Sequence, residues 1–387
     1  MNLFPKLLGI VWILSVIPVL IFCLANVWNI RETGNYLGER IRETAVENAK
    51  RTLLSTLETY FRIVQQENRL LEMILREYAE QVEYLLSEQP PKNLEIYSPD
   101  HFDPEGIPPG DAVVSARYCR MKADGTIVPM LISFQYPVFL IAPGVNSEDV
   151  REDMQRLSGM SSFVSQTYAK YSDLVYRIGV GLENGLYCAF PGSGGFPPEF
   201  DARKREWYRR VAQSQETEWI PPTTSMLGIG TMTGISRPIY RKTGEFAGTA
   251  LVVTSGFHYL QERPMPFEWA EHVRLFLVTR SPEPDDLSHS LQILNWGRMG
   301  PTRNWQTLFH PEYLSSPDSV EFGSLVKGID SQQGGVITMN FQGESCLWAY
   351  RAGDRDGVHL VMIVPSDKVL QWASTAKRTV FLLQKHG

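Results

Sequence analysis

Residues 182–208, LENGLYCAFPGSGGFPPEFDARKREWY, decide how this chain folds. An apolar run from Val175 to Val180 precedes the pair Asn184-Gly185, and Leu186, Tyr187, Ala189 and Phe190 follow it. That pattern predicts two short strands joined by a tight turn. A Gly/Pro loop comes next. Pro191, Pro197 and Pro198 fix it, while Gly192, Gly194 and Gly195 let its backbone come close to a neighbour. The loop ends at Asp201, placed to cap a helix, and sets Arg203, Arg205, Trp207 and Tyr208 at the mouth of that helix. A guanidinium fork beside two amphipathic rings is one way to hold a small polar or anionic ligand. The same letters also spell a helix cap with an ion pair and two core aromatics.

Upstream, residues 7–27 are 21 consecutive residues without a charge, long enough to cross a hydrocarbon core. The rival reading is a cleavable signal peptide with a small-residue site near Cys23-Leu24-Ala25. The charges flanking this run do not set its orientation. From Tyr36 to about Ser87 apolar residues recur at Leu37, Ile41, Ala45, Ala49, Leu53, Leu57, Phe61 and Val64, and again at Leu71, Ile74, Tyr78, Val82 and Leu85. This is one helical stripe about 75 Å long. It reads either as a single stalk or as two helices broken near Gln65 to Asn68.

Between stalk and hairpin, the spacing predicts strands at Ala112–Met121, Ile127–Ser133 and Val138–Ile141. Helices are expected at Ser147–Leu157, capped by Ser147, and at Ser161–Tyr171. Downstream, a helix from Trp207 to about Ser214 leads to strands at Trp219, Ile235–Tyr240 and Gly248–Thr254, with a turn at Lys242-Thr-Gly244. The Gly228–Gly234 segment lacks the spacing and the βαβ setting of a dinucleotide loop and reads as a turn. After a linker at Glu262–Pro266, strands are expected at Val273–Thr279 and Leu291–Trp296, and a helix at Ser316–Lys327. Strands at Val336–Phe341, Ser345–Arg351 and Val358–Val364 and an exit helix from Pro365 complete the chain.

With 387 residues and 43% hydrophobic content, the chain holds two or three domains with real cores. A net charge of −6 gives no electrostatic case for nucleic acid. Cys23, Cys119, Cys188 and Cys346 have no metal or redox spacing, and the histidines show no zinc pattern. No G-x-S-x-G elbow is present. Binding rather than turnover is the class left standing, with no cofactor, no metal and no catalytic residue.

The run Phe200-Asp-Ala-Arg-Lys-Arg-Glu-Trp-Tyr208 resembles the Asp-Pro-Arg-x-Arg-Pro-Trp-Tyr signature of double Cache (dCACHE) sensor domains. Trp219-Ile-Pro-Pro, Ile235-Ser-Arg-Pro238 and Gly244–Gly248 follow in that family's order. The resemblance implies an α+β fold: a transmembrane anchor at 1–30, a long stalk helix at 31–90, a membrane-distal PAS-like lobe at 91–265, a membrane-proximal one at 266–365, and an exit helix at 366–387. It implies an extracytoplasmic sensor in a bacterial cytoplasmic membrane, a homodimer through the stalk, and a small-molecule ligand. In amino-acid-binding members the signature arginine and the Trp-Tyr pair hold the ligand carboxylate; these positions are Arg205, Trp207 and Tyr208. The positions that hold the ammonium are Phe200, Thr223 and Val253 here, so its hydroxyl and carboxylate partners are missing. A carboxylate or other anion with an apolar body fits better than an α-amino acid. The 190–197 loop is similar to that of sensors fused to PPM-type serine/threonine phosphatases, which implies an output domain beyond Gly387. The alternative is a ligand-free scaffold for a periplasmic protein partner.

Overall fold

The computed structural model describes residues 3–91, 95–122, 126–224, 231–254, 265, 267–281, 286–293, 312–353 and 357–372. It opens on one helix, α1 (Leu3–Ser87), of 85 residues. No proline interrupts the chain between Pro18 and Pro90, and the helix runs unbroken through Gln65–Asn68. The single-stalk alternative is therefore the one realised. Among the described residues no helix is long and apolar enough to cross a membrane. Most side chains of 7–27, on which the expected span rests, lie outside the described residues.

Next come β1 (Val113–Met121), β2 (Ile127–Ser133), β3 (Val138–Ile141), α2 (Ser147–Leu157) and α3 (Ser161–Tyr171). Asn146, not Ser147, caps α2, its side chain accepting from the Glu148 N–H. Then follow β4 (Arg177–Leu182), β5 (Leu186–Phe190), β6 (Gly192–Ser193), α4 (Glu206–Ser214), β7 (Glu218–Thr224), β8 (Thr231–Tyr240) and β9 (Phe246–Thr254). The first hairpin strand thus begins two residues later than the apolar run at Val175. Six strands form an antiparallel sheet in the order β3-β5-β4-β9-β8-β7, the distal sheet, while β1, β2 and β6 make a small separate one. The expected turn at Gly228 lies outside the described residues apart from its end in β8, as do most of the 262–266 linker and the exit helix beyond 372.

A second sheet takes β10 (Arg274–Arg280), β11 (Leu291–Ile293), α5 (Ser319–Asp330), β12 (Gly334–Phe341), β13 (Glu344–Arg351) and β14 (Val358–Pro365). Its order, β11-β10-β14-β13-β12, repeats the β5-β4-β9-β8-β7 order of the distal sheet. Helix α5 starts three residues after the expected Ser316. The Ser316 hydroxyl donates to the Asn340 carbonyl and Asp318 accepts from the Asn340 N–H at 2.6 Å, which holds 316–318 against β12.

Both sheets lay one face on α1. Ala49, Leu53, Leu57, Phe61 and Val64 pack with Leu277, Leu347 and Met362 of the second sheet. Leu71, Ile74, Tyr78 and Val82 pack with Ile178, Val180, Cys188 and Val252 of the distal sheet. These are the stalk positions the three-and-four spacing marks. The opposite faces differ. In the second sheet that face is filled by α5, where Phe322 and the fully buried Trp348 meet. In the distal sheet it is covered by the 191–205 loop and α4.

Candidate ligand site on the distal sheet

Strand alternation on β4 sends Ile178, Val180 and Leu182 toward the stalk, which leaves Arg177, Gly179 and Gly181 on the opposite face. The hairpin that fixes this phase closes at Gly185 (φ +91), with the Asn184 side chain accepting from the Leu186 N–H. The two glycines form a trough. A Cβ on Gly179 would meet the Tyr187 hydroxyl at 2.8 Å, and one on Gly181 would meet the Ala202 Cβ at 2.8 Å and the Trp207 ring at 3.1 Å. Gly181→Ala should therefore push Trp207 off the sheet and cost about 1–3 kcal/mol of stability. Urea denaturation of the variant checks this, and an unchanged midpoint would refute it.

The loop folds back over the trough as a chain of rings. Tyr187 lies 5.0 Å from Phe200, 6.1 Å from Trp207 and 6.2 Å from Phe196, centroid to centroid. Asp201 caps the short 3-10 turn Ala202–Lys204 rather than α4, accepting from the Arg203 N–H. Its carboxylate also takes the Arg203 guanidinium at 2.9 Å, which holds the Asp201 carboxyl below its ordinary range. The internal ion pair of the motif thus belongs to Arg203. Arg205 is the N-cap of α4 and makes no side-chain cap. Among the described residues it has no carboxylate partner.

A second guanidinium stands at the open end of the trough. Arg177 is 7% exposed, donates from Nη2 to the Ser193 hydroxyl at 2.9 Å, and sits 5.3 Å from the centre of the Phe196 ring. Burial pushes the Tyr187 phenol up to about 12, against the opposing pull of Arg177 and of Arg205. Both cations therefore lie near the same hydroxyl.

No family model matches the chain, and no curated protein matches it. Solved structures do. The chain is similar to the extracellular domain of the putative histidine kinase mmHK1S-Z2, at 16% identity and a TM-score of 0.37 over 54% of this chain and 81% of that one. It is also similar to the ligand-binding domain of the Pseudomonas aeruginosa amino-acid chemoreceptor PctB in complex with L-Gln, at 17% identity and a TM-score of 0.35 over 56% and 82%. The ligand-binding domain of Mlp24 with asparagine matches at 12% identity and a TM-score of 0.34 over 59% and 89%. These neighbours are ligand-binding domains of receptors. The superpositions are loose, so the site's chemistry is read from its own residues.

Of the six residues singled out in the sequence, Phe200, Trp207 and Tyr208 come together in one buried cluster that Val253 borders. Tyr208 does not aim its hydroxyl at Arg177: it packs against Phe246 and the Gly181 end, and that hydroxyl is buried without a hydrogen-bond partner. The register sets Val253 opposite Arg177 on the neighbouring strand. Thr223 pairs with Met232 in the β7–β8 ladder, and its side chain lies outside the described residues. Arg177 was missed. Its signal was a lone cation inside the apolar run Leu174–Val180, in phase with Gly179.

Proposed function

We propose that the chain is the extracytoplasmic sensing part of a bacterial membrane receptor of the dCACHE kind. It binds a small anionic molecule on the distal sheet, beside Arg205. The observation that carries this reading is a contrast between the two sheets: α5 and Trp348 fill the stalk-averted face of the second. The matching distal face keeps two arginines without carboxylates beside a wall of rings. An anchor at 7–27, a homodimer through α1 and a cytoplasmic output, a PPM-type phosphatase among them, belong to the same proposal. The stalk lies on both sheets, so a ligand that favours one distal-sheet arrangement biases α1 by its difference in affinity for the two states.

The test is a thermal-shift panel of organic acids, amines and amino acids on the full chain. An acid should raise the unfolding midpoint, and Arg205→Ala should weaken its binding about tenfold or more, the worth of one charge-assisted pair. An acid that binds the variant undiminished puts the site elsewhere. The second reading, a ligand-free scaffold for a protein partner, draws on the burial of Trp207 and Tyr208. It expects no shift with any compound of the panel.

A further inference from the structure

We propose that the distal face takes a ligand with two acidic groups, a short dicarboxylate, one group held by Arg177 and the other by Arg205. The inference rests on the anion reading above and names the ligand class. Arg177 is the decisive residue. A guanidinium carries five N–H donors, and here one hydrogen bond is made, to Ser193. Ser193 is itself fully buried and fixed by its pairing with Ile132, so the fork is oriented before any ligand arrives. A buried cation with neither an anion nor a full set of acceptors costs several kcal/mol, and it persists where something else supplies them.

The surroundings restrict what that something is. Val253 stands across from Arg177, and Phe196 lies against its guanidinium. The buried polar side-chain atoms without a partner among the described residues include the Tyr208 and Thr249 hydroxyls but no nitrogen of Arg177 or Arg205. The unpaired N–H groups of both arginines therefore face space that water reaches. Among the described residues neither arginine meets a carboxylate, and the apolar wall offers an ammonium no acceptor. Two like charges around one phenol repel each other. A single carboxylate answers one of them and leaves the other, whereas a dianion with a short apolar body answers both.

Isothermal titration of the full chain with malonate, succinate, glutarate and adipate, each against the monocarboxylate of the same length, tests this. One diacid should bind about tenfold or more tightly than its matched monoacid. Arg177→Met should erase that preference without lowering the unfolding midpoint of the unliganded protein, and Arg177→Lys should keep part of it. Diacids and monoacids that bind alike, both sensitive to Arg205→Ala, overturn the two-acid inference and leave the anion reading standing. No binding by any acid overturns both. A loss of unliganded stability in Arg177→Met assigns the guanidinium to holding Ser193 and overturns the inference as well.

Discussion

Asp153→Ala should cost about 3–5 kcal/mol of stability, because it removes one partner of a buried ionic network and strands the rest. The carboxylate of Asp153, 6% exposed on α2, accepts from Arg241 Nη2 at 2.7 Å and from Asn184 Nδ2 at 2.8 Å. It also lies 3.5 Å from Arg156, whose Nε donates to the Glu88 carbonyl just past the end of α1. One side chain thus joins α2, the turn after β8, the β4–β5 hairpin and the stalk terminus. The hairpin turn that it holds sets the phase of β4, and so the placing of Arg177 and the two glycines. Urea denaturation should show the loss as a lower midpoint at unchanged slope. Adding Arg241→Met to Asp153→Leu should recover much of it, since an apolar pair carries no stranded charge. A loss below about 1 kcal/mol for the single change would mean that the network contributes little.

The parts of this fold that were legible in the sequence are those where one local rule decides. Alternation at Ile178, Val180 and Leu182 placed the hairpin, and the stripe from Ala49 to Val82 placed the stalk. Local rules failed where a tertiary contact chose between two acceptable readings. Asn146 and Ser147 are both good caps, and only the hydrogen bond to the Glu148 N–H selects Asn146. Pro317 suits a first helical turn, yet two hydrogen bonds to Asn340 delay α5 to Ser319. Asp201 is a cap, but its ion pair with Arg203 ties it to the 3-10 turn.

The site was half legible for the same reason. The motif from Phe200 to Tyr208 named the loop's residues, but not which arginine its own carboxylate would take. Either Arg203 or Arg205 could have closed on Asp201, and the choice decides whether a cation is left for a ligand. Arg177 needed the register of β4 with β9 and the reach to Ser193, and both are facts of pairing between distant segments.

Stability should also fall on acidification between about pH 6.5 and pH 4, through His359 on β14. The imidazole is 7% exposed, and its Nδ1 accepts from the Gly353 N–H at 3.0 Å. Burial pushes its pKa down to about 4; nearby Arg280 pushes the same way and Asp330 opposes. A proton on Nδ1 would also set one donor against another. In the unfolded chain the ring titrates near its ordinary value, about 6.5. Above that pH both states are neutral and the contribution is complete. As pH falls toward 4 the unfolded state takes up a proton that the folded state refuses, and roughly 3 kcal/mol is lost. Below about pH 4 the folded ring is protonated too, and the loss stops growing. His359→Gln keeps an acceptor for the Gly353 N–H but does not titrate. The wild-type minus variant difference in unfolding free energy should therefore shrink from pH 7 to pH 4, with carboxylate effects common to both cancelling. A difference that stays flat, or an imidazole that titrates near 6.5 by NMR in the folded protein, would show that the ring is not held neutral by its site.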